Sequence, residues 1–258
     1  MIRLGICTSI DNAPLMAELG YDYIELGMTA VTRMSDEEYA ALLAKVKASP
    51  LPVEAMNGMI PADYVLCSEE GTGEAVKEYL TKAFARAHEL GVKVVVFGSG
   101  GARRLPDGMR HADAYNYLSA YLELASDIAE PYGISIAIEP LRAAECNIIN
   151  HVAEAQWLAK KVMRSNVGAL ADLYHMMAGN EDSSAVGMKR QGSVIHCHIA
   201  DRANRAYPAA NDGSQKDYAE FFAQLKKVNY AGRVSIEGGC KDFEADAKAA
   251  FAELNQYR

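Results

Sequence analysis

Short apolar runs alternate with longer amphipathic stretches from one end of the chain to the other. Eight of the short runs are rich in β-branched and aliphatic side chains and are bounded by turn residues, the pattern of buried strands. They span residues 3–8, 23–27, 53–59, 93–99, 135–141, 167–173, 194–200 and 233–238. The stretches between them carry apolar residues at helical spacing. Residues 74–89 put Val76, Leu80, Ala83, Phe84 and Ala87 on one stripe, and residues 115–130, 152–164, 217–228 and 243–254 behave alike. Gly20, Gly91 and Gly133 each stand just before a strand, where a left-handed residue ends a helix. Ser35, with Glu38 three residues on, reads as a capping box that starts another.

Eight strands, each followed by a helix, imply parallel pairing through right-handed crossovers. The expected fold is therefore α/β, a (β/α)8 TIM barrel formed as one domain over residues 1–258. The length agrees, since such a barrel needs about 250 residues. An open doubly wound sheet is the rival. It usually carries a glycine fingerprint after its first strand, where this chain has Cys7-Thr8-Ser9-Ile10-Asp11. The longest irregular stretches, 60–73, 100–111 and 203–216, all follow a strand, which places them on the face where barrel enzymes do chemistry.

Composition narrows the partners. Half the residues are hydrophobic and 23% are charged, with a net charge of −8. A broad nucleic-acid footprint needs a basic face, so no nucleic-acid partner is expected. A local basic pocket for a phosphorylated small molecule stays open. The five cysteines, Cys7, Cys67, Cys146, Cys197 and Cys240, are scattered and form no CxxC pair, which points to reduced thiols packed in the core. No leader pattern and no apolar run of membrane-spanning length occur. The expectation is a soluble cytoplasmic protein with no membrane partner.

The candidate chemistry sits at the ends of the last four strands. Strand five runs into Glu139, strand six into Asp172, strand seven into His198 and strand eight into Glu237. Each follows an apolar run and is carried to the barrel rim. Three carboxylates so close repel one another unless protons, a cationic side chain or a metal neutralises them. Any one of them alone reads as a solvated or ion-paired strand end; four at one height point to a single divalent metal ion. The oxygen-rich set with one imidazole suits Mn²⁺ first, with Mg²⁺ or Co²⁺ next and Zn²⁺ as a further option. Of the two histidines in strand seven, only one is expected to face the barrel axis, with His196 and His198 on opposite sides and His196 structural. A second layer of loop residues, Glu145, His175 and Arg205, lies within reach of a substrate's oxygens, with Arg202 and Arg142 as competitors for the arginine role. The cluster Gly98-Ser99-Gly100-Gly101-Ala102-Arg103-Arg104 reads as a flexible loop with solvated arginines, or else as a cradle for phosphate or carboxylate. Asn57 ends strand three, with no role that the sequence defines.

At these residues the chain resembles the xylose-isomerase-like barrel superfamily, in its sugar epimerase and sugar-phosphate isomerase branch. The matching segments are Ile138-Glu139-Pro140-Leu141 with Glu145 and Asn147, and Asp172-Leu173-Tyr174-His175. His196-Cys197-His198-Ile199-Ala200-Asp201 and Tyr230-Ala231-Gly232-Arg233-Val234-Ser235-Ile236-Glu237 complete the set. Resemblance to the ketose 3-epimerases implies that Glu139, Asp172, His198 and Glu237 bind the metal. It also implies that Glu139 and Glu237 are the acid–base pair, working through an enediolate, and that Glu145, His175 and Arg205 hold a carbohydrate substrate. Two departures fall in the loop after strand seven: Pro208 is followed by Ala209 and Ala210, and the spacing from His198 to Arg205 is one residue longer. Barrels of this kind often form dimers or tetramers. The same apparatus serves dehydratases that act on inosose or dehydroshikimate, and subunits that cleave carbon-linked glycosides. A barrel that binds sugar without turnover is the non-catalytic alternative. Endonuclease IV shares the fold but carries more histidine ligands than a chain with six histidines supplies here.

Overall fold

Residues 1–187 and 193–258 are described in the computed structural model of the chain. The eight strands are β1 (Arg3–Cys7), β2 (Tyr23–Gly27), β3 (Val53–Asn57), β4 (Val94–Phe97), β5 (Ser135–Ile138), β6 (Val167–Asp172), β7 (Val194–Ile199) and β8 (Arg233–Ile236). Each pairs in parallel with the next, and β8 closes on β1 to form a barrel. The open doubly wound alternative is thereby excluded. Around the barrel lie α1 (Ala13–Leu19), α2 (Met28–Arg33), α3 (Asp36–Ala48), α4 (Glu74–Glu89), α5 (His111–Ala129), α6 (Val152–Val162), α7 (Leu173–Ala178), α8 (Gln215–Lys227) and α9 (Phe243–Asn255).

The local signals act as expected. Ser35 Oγ accepts from Glu38 N at 3.2 Å while Glu38 Oε2 accepts from Ser35 N at 2.8 Å, so two donors at the start of α3 are satisfied reciprocally. The stripe Val76, Leu80, Ala83, Phe84 and Ala87 of α4 is buried. Gly20, Gly91 and Gly133 take φ of 97°, 92° and 67°. No described helix is long and apolar enough to cross a membrane. All five cysteines are free. Cys67, Cys146 and Cys197 are buried as expected, whereas Cys240 is exposed in the loop after β8 and Cys7 is half-buried.

Side chains of a parallel barrel divide between its interior and the layer under the helices. The interior holds Tyr23, Ala55, Val94, Val96, Ala137 and Leu170. Gly5 makes room for the Tyr23 ring, since a Cβ there would come within 2.5 Å of it. Residues two apart on a strand share a face. Ala137 and Leu170 face inward, so Glu139 and Asp172 project into the same space one step nearer the rim. Arithmetic of the same kind corrects one expectation. His196 and His198 lie on the same side of β7, both inward, and Cys197 between them packs into the outer layer. His196 is in register with Leu170, and His198 with Asp172 and Ser235.

Candidate metal centre

Glu139 and Glu237 stand one residue beyond the regular ends of β5 and β8. Their amides still donate to Phe97 O and Ile199 O, each at 3.1 Å, so the neighbouring strands hold both in place. With Asp172 and His198 they bring one ligand-type atom apiece to a common point, all within 4.8 Å of one another. His198 Nδ1 lies 3.1 Å from Glu139 Oε1 and 3.6 Å from Glu237 Oε2. Asp172 Oδ1 accepts from the amides of Tyr174 and His175 at the start of α7, at 2.7 and 3.2 Å. Its other oxygen, Oδ2, is buried and has no hydrogen-bond partner. A buried carboxylate oxygen without a partner is costly.

Electrostatics point the same way. Burial, then the Glu237 charge, raises the Glu139 carboxyl above its ordinary range. Burial raises Asp172 to about 6. Desolvation of the half-buried Glu237 works to raise it, but the adjacent His198 charge, helped by Arg205, outweighs this and takes the carboxyl down to about 2. Three carboxylates, two of them buried, crowd around one imidazole and the neighbouring Arg205, and a divalent cation compensates such a set. The residues present therefore fit a divalent metal, and a buried Asp172 oxygen is left without any other partner.

Sequence reasoning missed what lies beneath. His198 Nε2 bonds Glu25 Oε1 at 3.0 Å, which leaves Nδ1 for the centre. Glu25 is fully buried on β2, and its other oxygen meets His196 Nε2 at 2.8 Å and the Ser235 hydroxyl at 2.5 Å. Ser235 in turn shares a hydrogen bond of 2.6 Å with Tyr23 OH. Burial works against the Glu25 charge, but His198 and His196 outweigh it and hold the carboxylate ionised. Burial keeps His196 below its ordinary pKa, that is, neutral. A carboxylate behind a ligand histidine sets its ring orientation and raises its basicity. The one available signal was a glutamate inside the apolar run Tyr23-Ile24-Glu25-Leu26, two residues from an inward tyrosine.

The second layer converges on the same opening. Arg205 Nη2 donates to Glu237 Oε2 at 2.7 Å, and Nη1 reaches both Glu145 oxygens at 3.3 Å. Arg142 Nε holds Glu145 Oε1 at 2.7 Å. Arg202 instead pairs with Asp217 at 2.8 Å, away from the centre. Arg205 sits in the left-handed region at φ 51°, a costly conformation for a residue with a Cβ. Asp201 fixes it by accepting from the amides of Ala203, Asn204 and Ala206 at 2.7, 2.7 and 2.9 Å. His175 Nδ1 accepts from Arg142 N at 3.2 Å, and burial lowers its pKa, so the neutral ring carries its proton on Nε2. Nε2 lies 4.0 Å from Glu145 Oε2 and 3.8 Å from Asp172 Oδ2. Asn57 Nδ2 donates to Glu237 Oε1 at 2.9 Å, so a residue without a role in the sequence holds a member of the central set.

The 98–104 segment departs from expectation. Arg104 is exposed as foreseen, but Arg103 is fully buried and is not solvated. Its guanidinium donates to Phe97 O at 2.9 Å and Glu139 O at 2.7 Å, so it cradles two carbonyls and not a phosphate.

A family model described as xylose isomerase-like TIM barrel matches residues 14–257. A D-psicose 3-epimerase of Agrobacterium fabrum is 24% identical over 229 residues, which cover 86% of this chain and 76% of the relative. An inosose isomerase of Bacillus velezensis is 25% identical over 247 residues, 89% of this chain and 85% of its own length. A crystal structure of D-psicose 3-epimerase in the presence of D-fructose superposes with a TM-score of 0.82 at 20% identity, covering 99% of this chain and 98% of the other.

Proposed function

The chain belongs to the xylose isomerase-like TIM barrel family, and on that premise we propose that it is a divalent-metal-dependent sugar isomerase or epimerase. It would move a proton at the carbon beside a ketone. The observation that carries this reading is the convergence of Glu139, Asp172, His198 and Glu237 on one point, with one buried Asp172 oxygen left without a hydrogen-bond partner. These four residues are assigned as the ligands of one ion, Mn²⁺ by preference. When bound, the ion supplies Lewis acidity to the substrate's carbonyl and neighbouring hydroxyl.

The chain's own residues do the rest. Glu139 and Glu237 come from strands separated by β6 and β7, so they approach a substrate from different sides of the opening. One carboxylate takes the proton from the carbon and the other delivers one to the resulting enediolate. Delivery to the opposite face of the same carbon inverts it; delivery to the adjacent carbon isomerises the sugar. Asn57 and Arg205 each hold one oxygen of Glu237 and orient its carboxylate. Neutral His175 offers its Nε2 proton to a substrate oxygen. Glu145 binds Arg142 and Arg205 and presents a hydroxyl acceptor beside them. The relatives named D-psicose 3-epimerase and inosose isomerase suggest ketoses and cyclic polyol ketones as the substrates to try first.

The test starts with elemental analysis of wild type and Glu237→Gln purified side by side, and then measures solvent deuterium incorporation into D-psicose, L-ribulose and inosose. About one Mn, Mg, Co or Zn per wild-type chain, depleted in the variant, together with exchange into one of these ketones, is the expected result. A wild type that takes up no metal even from added Mn²⁺ refutes the reading. Metal uptake with ligand affinity but no exchange into any bound ketone would make it a non-catalytic sugar-binding barrel.

A further inference from the structure

Arg103 is among the largest fully buried side chains of the molecule. Among the described residues no carboxylate pairs with it: two of its nitrogens serve backbone carbonyls, and Nε has no partner. A buried guanidinium in this state is expensive to keep, and two carbonyls with an aromatic ring 5.5 Å away offset only part of the cost. Its placement gives the reason. The two carbonyls belong to Phe97, the last residue of β4, and to Glu139, the proposed ligand and acid–base residue just past β5.

Glu139 is held on every side. Its amide donates to Phe97 O, its carbonyl accepts from Arg103, and its Oε1 lies against His198. Its Oε2 occupies the space above Gly98, where any Cβ would overlap it. The next residue is Pro140, so the main chain leaves the strand without a following amide to hold it to the barrel. The guanidinium fork spans the gap by joining the ends of β4 and β5, a geometry that a lysine's single ammonium does not reproduce. The Arg103 backbone is itself anchored, its amide donating to Ser99 O and its carbonyl accepting from the Cys67 thiol.

We infer that Arg103 is a positioning residue that fixes the Glu139 main chain so that its carboxylate stands at the metal centre. The inference rests on the proposed metal site, so the experiment first establishes that site in the wild type. Mn²⁺ affinity is measured by electron paramagnetic resonance of free and bound ion for wild type, Arg103→Met, Arg103→Lys and the control Arg86→Met. Fold is followed by circular dichroism and melting. Arg86 is also buried and also clamps carbonyls, those of Val31, Thr32 and Met34, but far from the centre between α2 and α4.

The expected result is Mn²⁺ binding weakened about tenfold or more by Arg103→Met, in line with loss of a supporting contact behind a ligand. The bound-ion spectrum changes with it. Arg103→Lys recovers part of the affinity, and Arg86→Met lowers the melting temperature but leaves the affinity unchanged. A folded Arg103→Met that binds Mn²⁺ within twofold of wild type overturns the inference. So does an equal weakening by Arg86→Met, which would mark a general effect of stability. If neither Arg103 variant folds, the residue is a folding determinant and the positioning role is refuted. A wild type that binds no Mn²⁺ removes the metal site itself, an outcome visible before any variant is compared.

Discussion

Replacing Glu25 by Gln removes one negative charge one hydrogen bond behind the proposed ligand His198 and almost nothing else. The variant can keep its contacts. An amide at this position can present its oxygen to His198 Nε2–H and its nitrogen to the Ser235 hydroxyl, which is free to turn its own proton to Tyr23 OH. His196 can follow by moving its proton to Nδ1, an atom with no partner. What is lost is the carboxylate that would make the His198 ring a stronger donor to the proposed ion. Such outer partners typically account for 10–100-fold in metal affinity, about 1.4–2.8 kcal/mol. Melting with and without metal reads this out. At a Mn²⁺ concentration near 100 times the wild-type Kd, the ion stabilises the fold by about 2.7 kcal/mol; a hundredfold weaker site leaves about 0.4 kcal/mol. For a chain of this size the difference corresponds to roughly 5–9 °C of metal-induced shift. Isothermal titration of Mn²⁺ into wild type and Glu25→Gln gives the affinity directly. A folded Glu25→Gln with wild-type Kd and wild-type metal-induced shift would refute the coupling between Glu25 and the centre.

Gly98→Ala places a methyl group where Glu139 Oε2 lies; we expect the carboxylate to be displaced, with metal content in the purified protein falling well below one per chain. Glu139→Gln and Glu237→Gln are each expected to slow solvent deuterium exchange by about 10²–10⁴-fold, the usual contribution of a positioned acid or base, and exchange at wild-type rate in either would remove it from that role. Arg86→Met strips the shared Nη1 donor from two buried carbonyls and a partly buried third, and should destabilise the chain by about 2 kcal/mol, read by urea unfolding, with Mn²⁺ affinity unchanged. Chelation by EDTA should lower the melting temperature of the wild type, with recovery on adding Mn²⁺, whereas an unchanged melting curve would contradict a bound structural charge at the barrel mouth.

The period of the hydrophobic pattern determined much of this protein by itself. Eight apolar runs separated by helical stripes imply a parallel barrel, because each run must bury both faces and each crossover must return to the same edge. The four centre residues were legible for the same reason: an ionisable residue directly after a buried strand is carried to the rim, and successive strands of a closed barrel place such residues side by side. Period two also held more than was taken from it, since His196 and His198 are two apart and must share a face. The contacts that tune the site were decided only in three dimensions. Glu25 meets His198 from 173 positions away, and no local pattern distinguishes a glutamate buried behind a central histidine from one turned to solvent. Arg103 looks like a loop arginine in sequence; in the closed barrel its guanidinium is buried against the carbonyls of Phe97 and Glu139 at the ends of β4 and β5. Arg205 is singled out from Arg202 by a left-handed turn that Asp201 holds in place, a choice set by backbone hydrogen bonds closed across the loop and against β8. Residue order places side chains along a strand, whereas burial and partnership depend on what the closed barrel brings against them.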